Sequence, residues 1–431
     1  MTDSQSLRDR LLEEINRIRV IDVHSHVPHD APVAGSLREL LGYHYYTELA
    51  HSAGMDKAVL APDRSEEEVI PDLVRALEHV DNTIQYKWMI ELVTDLFGFQ
   101  DEKLTLENWQ PLADAVRRAA REPGRARQVM DQCNIDKVFL TNEFDEDLGG
   151  IDADLFGPSL RSDALVRHMD EADIRGRLEA TSGVAIRDAG SMADAIGVVV
   201  QRFADAGARS ASMSLPPHFC TLRTLGGEFD RAVEAVLGGR ASDADVAVLR
   251  AGVLSLLCGF CDDCKMPVQI MWGVTRGAYE HGVYQGHDLL EAGDTLANLM
   301  PLLNAFAGVT FCLSVLSSGQ EQELCSYGWL VHNVVLSGHW WYLNVPAHIA
   351  RDLAARLQSV PKTKLIGYYS DMYKLEFGLS KFNMYRRILA QVLAHDFVEA
   401  GLGTEDDAVC IAHLMLRGNP QRVFGLTGEG Q

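Results

Sequence analysis

The 431-residue chain is 47% hydrophobic, enough to bury a large core in one elaborated domain or in two ordinary ones. Its 61 Asp and Glu outweigh 39 Lys and Arg, and a formal net charge of -22 denies it the electrostatic footprint of a protein that binds nucleic acid or an anionic membrane. No apolar run approaches the ~20 residues of a membrane span, residues 1–14 are too charged for a secretory signal, and a cytoplasmic acidic enzyme is the expectation.

In chain order, residues 5–18 read as an amphipathic helix, with Leu7, Leu11, Leu12, Ile15 and Ile18 at spacings of three and four. The β-branched run 20–26 follows as a strand ending in His24-Ser25-His26. Residues 36–132 keep a helical apolar spacing, broken at Pro123-Gly124, and are too long for a barrel crossover; they predict a helical insertion beside the mouth. Further strands are expected over 136–141, 159–166, 208–215, 267–272, 309–314, 333–339 and 364–371, most of them followed by a helical segment. Together with the first strand they make eight, and strands alternating with helices imply a parallel, closed (β/α)8 TIM barrel with a helical insertion after strand 1. The organisation expected is 1–35 for the leading helix and first strand, 36–132 for the insertion and 133–431 for the remainder of the barrel. No Gly-x-Gly-x-x-Gly loop follows the first strand, which removes the commonest dinucleotide-binding alternative.

Strand side chains alternate with period two, so His24 and His26 share one side of their strand and can converge on a divalent metal; the bland alternative is two ligand-free polar residues at a strand end. In a closed barrel the first and last strands are neighbours, which allows Asp371 to join them. The site is expected at the strands' C-terminal ends, with Arg161, Arg209, Arg276, His339, Trp340 and Trp341 placed there, and with His44 and Tyr45 arriving from the start of the insertion. Arginines gathered at one mouth of an acidic protein suit a carboxylate or phosphate. The eight cysteines are thinly spread; Cys258, Cys261 and Cys264 imitate the start of an iron-sulfur motif, but Val268 stands where a fourth cysteine would be, and thiols on a helix are expected instead.

These residues carry a resemblance over most of the chain. His24-x-His26, His44-Tyr45, Leu160-Arg161-Ser162-Asp163, Gly207-Ala208-Arg209, Gly273-Val274-Thr275-Arg276, Gly338-His339-Trp340-Trp341 and Asp371, in that order, resemble the uronate (glucuronate) isomerase family of the amidohydrolase superfamily. The resemblance implies a divalent metal, zinc or else manganese, on His24, His26 and Asp371, and a sugar-acid pocket lined by His44, Tyr45, Arg161 and Trp340 or Trp341. It also implies a homo-oligomer, and aldose-ketose isomerisation of a hexuronate through a cis-enediolate, with Asp371 and Tyr45 as proton carriers.

The chain also departs from the family pattern. Tyr373 stands where the family's last strand brings a carboxylate-gripping arginine, Ser212-Met213 stand where it has Asp-His, and Met271 stands where it has a histidine. His218 and His339 are the nearest candidates to compensate. The departures make a metal-dependent hydrolase or lactonase acting on a non-uronate substrate the alternative expectation.

Overall fold

The structure, a computed structural model, describes residues 3–221, 226–291 and 295–426. Twelve short strands occur among them: β1 Val20–Asp22, β2 Ile135–Phe139, β3 Asn142–Glu143, β4 Phe156–Gly157, β5 Leu160–Arg161, β6 Ala211–Leu215, β7 Val268–Trp272, β8 Val274–Thr275, β9 Leu289–Leu290, β10 Phe311–Val315, β11 Val334–Ser337 and β12 Leu365–Ile366. β2 and β3 are one extended run interrupted at residues 140–141, and β4 and β5 are another. Leu140 N–H donates to Gly157 O and Asn142 N–H to Ser159 O, both at 2.9 Å, so the pairing continues through the breaks.

Counted this way there are eight staves, all parallel, in the order β1, β2/β3, β4/β5, β6, β7, β10, β11, β12. The last stave meets the first beyond the ends of β12 and β1, where Asp371 N–H donates to His24 O at 3.2 Å and His26 N–H to Met372 O at 2.7 Å. The ring is therefore closed, as the alternation of strands and helices predicts. β7 and β10 are buried at every position, which is what parallel strands covered on both faces require of apolar runs.

Several strands are shorter than expected, the first and last ending at Asp22 and Ile366, and two of the changes bear on residues expected at the site. The strand expected over 159–166 stops at Arg161, and a helix Asp163–His168 begins there, anchored to β6 because the Asp163 carboxylate accepts from Ser214 N–H at 3.1 Å and from Ser214 Oγ at 2.6 Å. The strand expected from 208 begins at Ala211, so Arg209 precedes it. β8 and β9 were not anticipated: they pair antiparallel and carry a long loop, 276–288, over the mouth.

The leading helix α1 Asp3–Asn16 buries Leu7, Leu11 and Ile15 and packs on the helix Phe377–Val392. Between β1 and β2 the chain is helical: α2 Leu37–Leu41, α3 His44–Ser52, α4 Glu66–Leu77, α5 Ile84–Phe97, α6 Trp109–Ala119 and α7 Arg125–Gln132. Local chemistry explains the ends. α4 opens on a Ser65/Glu68 capping box, and α5 opens on the Thr83 hydroxyl and stops at Gly98, whose φ of +72° is a left-handed cap.

The helix Asp243–Asp263 is long and apolar enough to cross a bilayer by length and composition, contrary to the sequence expectation, but half of its apolar window is buried and it packs against the helices Gly227–Leu237 and Ala189–Asp205. Cys258 and Cys261 are buried thiols on it.

One buried ion pair shapes the mouth. Arg356, on the helix Pro346–Ser359, pairs through two nitrogens with Glu321, on the helix Ser318–Leu330, and donates to Gly338 O at 2.7 Å. Gly338 has φ +49° and sits where a Cβ would lie 2.4 Å from the Tyr369 ring, so the chain leaves β11 through a turn that only glycine fits. Glu321→Ala strands a buried guanidinium and is expected to destabilise the fold by about 3–5 kcal/mol, measured by urea unfolding.

Candidate functional site

His24 and His26 project from the end of the first stave with ring centroids 5.2 Å apart. Asp371 meets them from the last stave: its Oδ1 lies 3.5 Å from His24 Nε2 and 3.3 Å from His26 Nε2. Among the described residues this is the one group of three or more His, Cys, Asp or Glu side chains able to hold a metal ion.

The donor set fits a first-row divalent ion. Donors about 2.0–2.1 Å from a tetrahedral ion stand roughly 3.3 Å from one another, close to the two separations seen. His24 is buried, and neither of its ring nitrogens has a hydrogen-bond partner among the described residues, a costly condition that a coordinated ion would relieve. Burial, with the charge of His26, lowers the pKa of His24 to about 3 and keeps its ring neutral, the form that binds metal. Burial alone would raise the pKa of Asp371. The hydrogen bond and charge of His26, with the Lys381 ammonium beyond it, outweigh burial and hold the carboxyl below its ordinary range.

The surrounding shell orients these groups. Thr141 Oγ1 donates its one proton to Ser25 O at 3.0 Å, so at 2.7 Å from His26 Nδ1 it must accept from that nitrogen, and Nε2 is the ring nitrogen turned to Asp371. Asp371 itself has φ +53°, a left-handed conformation rarely adopted by a residue with a side chain. Lys381 holds the adjoining carbonyls in place, with Nζ 2.5 Å from Ser370 O and 2.7 Å from Tyr43 Oη, while Tyr43 Oη–H reaches Asp371 O at 3.2 Å. The Lys381 ammonium lies among the rings of Tyr45, Tyr43 and Trp88 at 4.7, 5.1 and 5.4 Å from their centroids, and burial lowers its pKa to about 8.

The three donors border a cavity of about 220 Å3. Arg161 and Arg276 also border it, held by acidic and hydroxyl partners. Arg161 is 3.2 Å from Glu143 and 3.6 Å from Asp163. Arg276 is 2.5 Å from Asp288 and donates to Ser214 Oγ at 2.7 Å. Trp340, Trp341 and His44 complete the wall, and Tyr373 stacks on His26 at 4.9 Å. The departures from the family pattern lie here as well: Ser212, Met213 and Met271 line the cavity, and of these three only Ser212 carries an oxygen.

Of the residues expected at the site, His24, His26, Asp371, His44, Arg161, Arg276, Trp340, Trp341 and Tyr373 all border this one cavity. Three others do not. Arg209 is exposed at the opposite, N-terminal end of its stave, its N–H bonded to Pro158 O, an end it occupies whether the strand begins at 208, as expected, or at Ala211, as found. His339 is buried behind the mouth, 6.2 Å from the Tyr385 ring and beside the Arg356 charge. Tyr45, next to His44 on a helix, is turned about 100° away from it into the core, where burial raises its pKa well above 10 and leaves no phenolate to act as a base. His218 is exposed and 3.4 Å from Glu291, outside the donor set. Sequence reading missed Thr141, Asp163, Gln285 and Asp288; Asp163 lay within a quoted motif, whereas Gln285 and Asp288 reach the mouth only through the β8–β9 excursion.

A closed (β/α)8 barrel with a site for one divalent ion at its mouth is an architecture of the amidohydrolase type, and solved structures share the fold. The structure is similar to the uronate isomerase of Thermotoga maritima (TM-score 0.89, 17% identity, 97% of each chain covered). It is also similar to the glucuronate isomerase of Caulobacter crescentus (0.90, 20%, 99% of this chain and 95% of that one) and to a uronate isomerase of Bacillus halodurans (0.80, 18%, 99% and 97%). The chain belongs to the glucuronate isomerase family, whose model matches residues 4–415. No curated protein sequence matches it significantly.

After incubation with zinc or manganese and exhaustive dialysis, elemental analysis is expected to find about one ion per chain. His26→Ala and Asp371→Ala should each reduce that to near none with the circular dichroism spectrum unchanged.

Proposed function

We propose that the protein interconverts an open-chain hexuronate, glucuronate or galacturonate, with the corresponding ketose acid, using a divalent ion held by His24, His26 and Asp371. The observation that carries this reading is one cavity, in a member of this family, that is lined both by an oxygen-and-nitrogen donor set and by two arginines. We take the ion to be zinc, with manganese as the alternative, and the protein to be a cytoplasmic homo-oligomer, as the family resemblance implies. A bound ion supplies Lewis-acid polarisation of the carbonyl and stabilises the negative charge that develops on its oxygen.

The chain's own residues supply the rest. Arg161 and Arg276 grip the substrate carboxylate, the task that the family gives to an arginine where this chain has Tyr373; a pair of guanidiniums orients the chain of carbons as well as neutralising its end. Their acidic partners keep the two cations folded into the mouth without substrate. Trp340 and Trp341 present apolar faces to the carbon backbone and exclude water from the enediolate. Asp371 is the carboxylate within the cavity that can carry the proton between adjacent carbons, and Tyr45, buried and protonated, takes no part in that transfer.

The hydrolase or lactonase reading uses the same donors, but nothing in the cavity favours it over family membership. The two separate in isotopic water. Isomerisation washes deuterium into substrate carbon, whereas hydrolysis places heavy oxygen in a product acid. With glucuronate or galacturonate and added zinc or manganese, a ketose carrying carbon-bound deuterium is the expected product, and heavy oxygen in an acid without any ketose would overturn the proposal. Asp371→Asn is expected to abolish turnover. Arg161→Met is expected to raise KM about 10- to 100-fold, the loss of one charged hydrogen-bonding partner, in steady-state assays.

A further inference from the structure

α3 starts at His44, and one helical turn later Glu48 returns its carboxylate to the imidazole: His44 Nδ1 and Glu48 Oε1 are 2.8 Å apart. Surface pairs with this spacing are common and weak, but here the two side chains are only 9% and 17% exposed. The rings of Tyr45, Tyr43, Tyr373 and Trp341 stand 4.3, 4.9, 5.4 and 6.0 Å from that of His44. The imidazole also separates two spaces. His44 borders the cavity of the metal donors, whereas Glu48 borders a different cleft beside Tyr45 and Tyr342 and touches the cavity only through the ring. A carboxylate on Nδ1 fixes the ring proton there and leaves Nε2 as the nitrogen that can take one.

The other ionisable groups around the cavity are committed. Asp163 and Asp288 answer the two arginines, Asp371 belongs to the donor set, and burial keeps Tyr373 protonated. We infer that His44 is the acid-base catalyst for the hydroxyl protons of the isomerisation, and that Glu48 is its positioning residue. The inference rests on the isomerase reading above.

Converting an aldose to a ketose moves two protons, one between carbons and one between oxygens. When the proton leaves C2, its bonding pair forms the C1–C2 double bond and the carbonyl pair lodges on O1. His44 Nε2 then accepts the O2 proton as C2=O2 forms, and the C1–C2 pair takes the returning proton at C1. The imidazolium, stabilised by the Glu48 carboxylate, finally gives its proton to O1. The ring begins and ends neutral, and no outside oxidant or base is consumed.

The test is the metal-loaded enzyme and its Glu48→Gln and Glu48→Asp variants, assayed with the hexuronate the unsubstituted enzyme turns over best. The imidazole tautomer is read in parallel by two-bond 1H–15N spectra of metal-free, histidine-labelled protein, with His44 assigned through its loss in His44→Asn. Expected are a kcat about 10- to 100-fold lower in Glu48→Gln with KM within about twofold and metal content unchanged, partial recovery in Glu48→Asp, and a His44 proton on Nδ1. An unchanged kcat in Glu48→Gln, a rise in KM alone, or a His44 proton on Nε2 would overturn the inference. Absence of hexuronate turnover by the unsubstituted enzyme would instead overturn the isomerase reading itself, and the inference with it.

Discussion

Two backbone hydrogen bonds across the seam of the barrel, Asp371 N–H to His24 O and His26 N–H to Met372 O, bring the beginning and the end of the chain to one point. Without that closure the three donors would belong to separate edges of an open sheet. The seam is held from outside the barrel as well: Lys381 and Tyr43 fix the carbonyls on either side of Asp371, whose backbone is in a left-handed conformation. Because Tyr43 belongs to the start of the helical insertion and Lys381 lies against Tyr45 and Trp88, the insertion does more than cover the mouth; it sets the angle at which the carboxylate meets the imidazoles.

The electrostatic design of the mouth differs from that of the whole molecule. A chain of net charge -22 repels an anion at long range, yet Arg161 and Arg276 place two cations on the rim of the donors' cavity. Each is paired with a carboxylate before substrate arrives, so the cations stay ordered and an incoming carboxylate exchanges partners instead of condensing a floppy side chain. The methionines at 213 and 271 leave one side of the cavity apolar, which confines the metal donors to the seam between the first and last staves.

Much of this was legible in the sequence, and the failures have physical reasons. The β-branched and apolar runs gave eight staves, and period-two spacing put His24 and His26 on one side of theirs. Arg209 was expected at the mouth although it opens its strand, and in a parallel barrel every strand starts at the end away from the mouth. Tyr45 failed on a helix, where a single step turns a side chain about 100°, so that only His44 of the pair faces the cavity. His339 shares a motif with Trp340 and Trp341, yet the turn at Gly338 sends it behind them. Gln285 and Asp288 left no local signal, since the pairing of Val274–Thr275 with Leu289–Leu290 that carries them to the mouth is a long-range event.

The central claim, that the two ends of the chain share one cation, is tested most directly by diffraction from crystals grown with zinc, collected on both sides of the zinc absorption edge. The account predicts a single anomalous peak about 2.0–2.2 Å from His24 Nε2, His26 Nε2 and an Asp371 carboxylate oxygen. A fully occupied ion elsewhere in the cavity, or a seam that stays empty at saturating zinc, would contradict it.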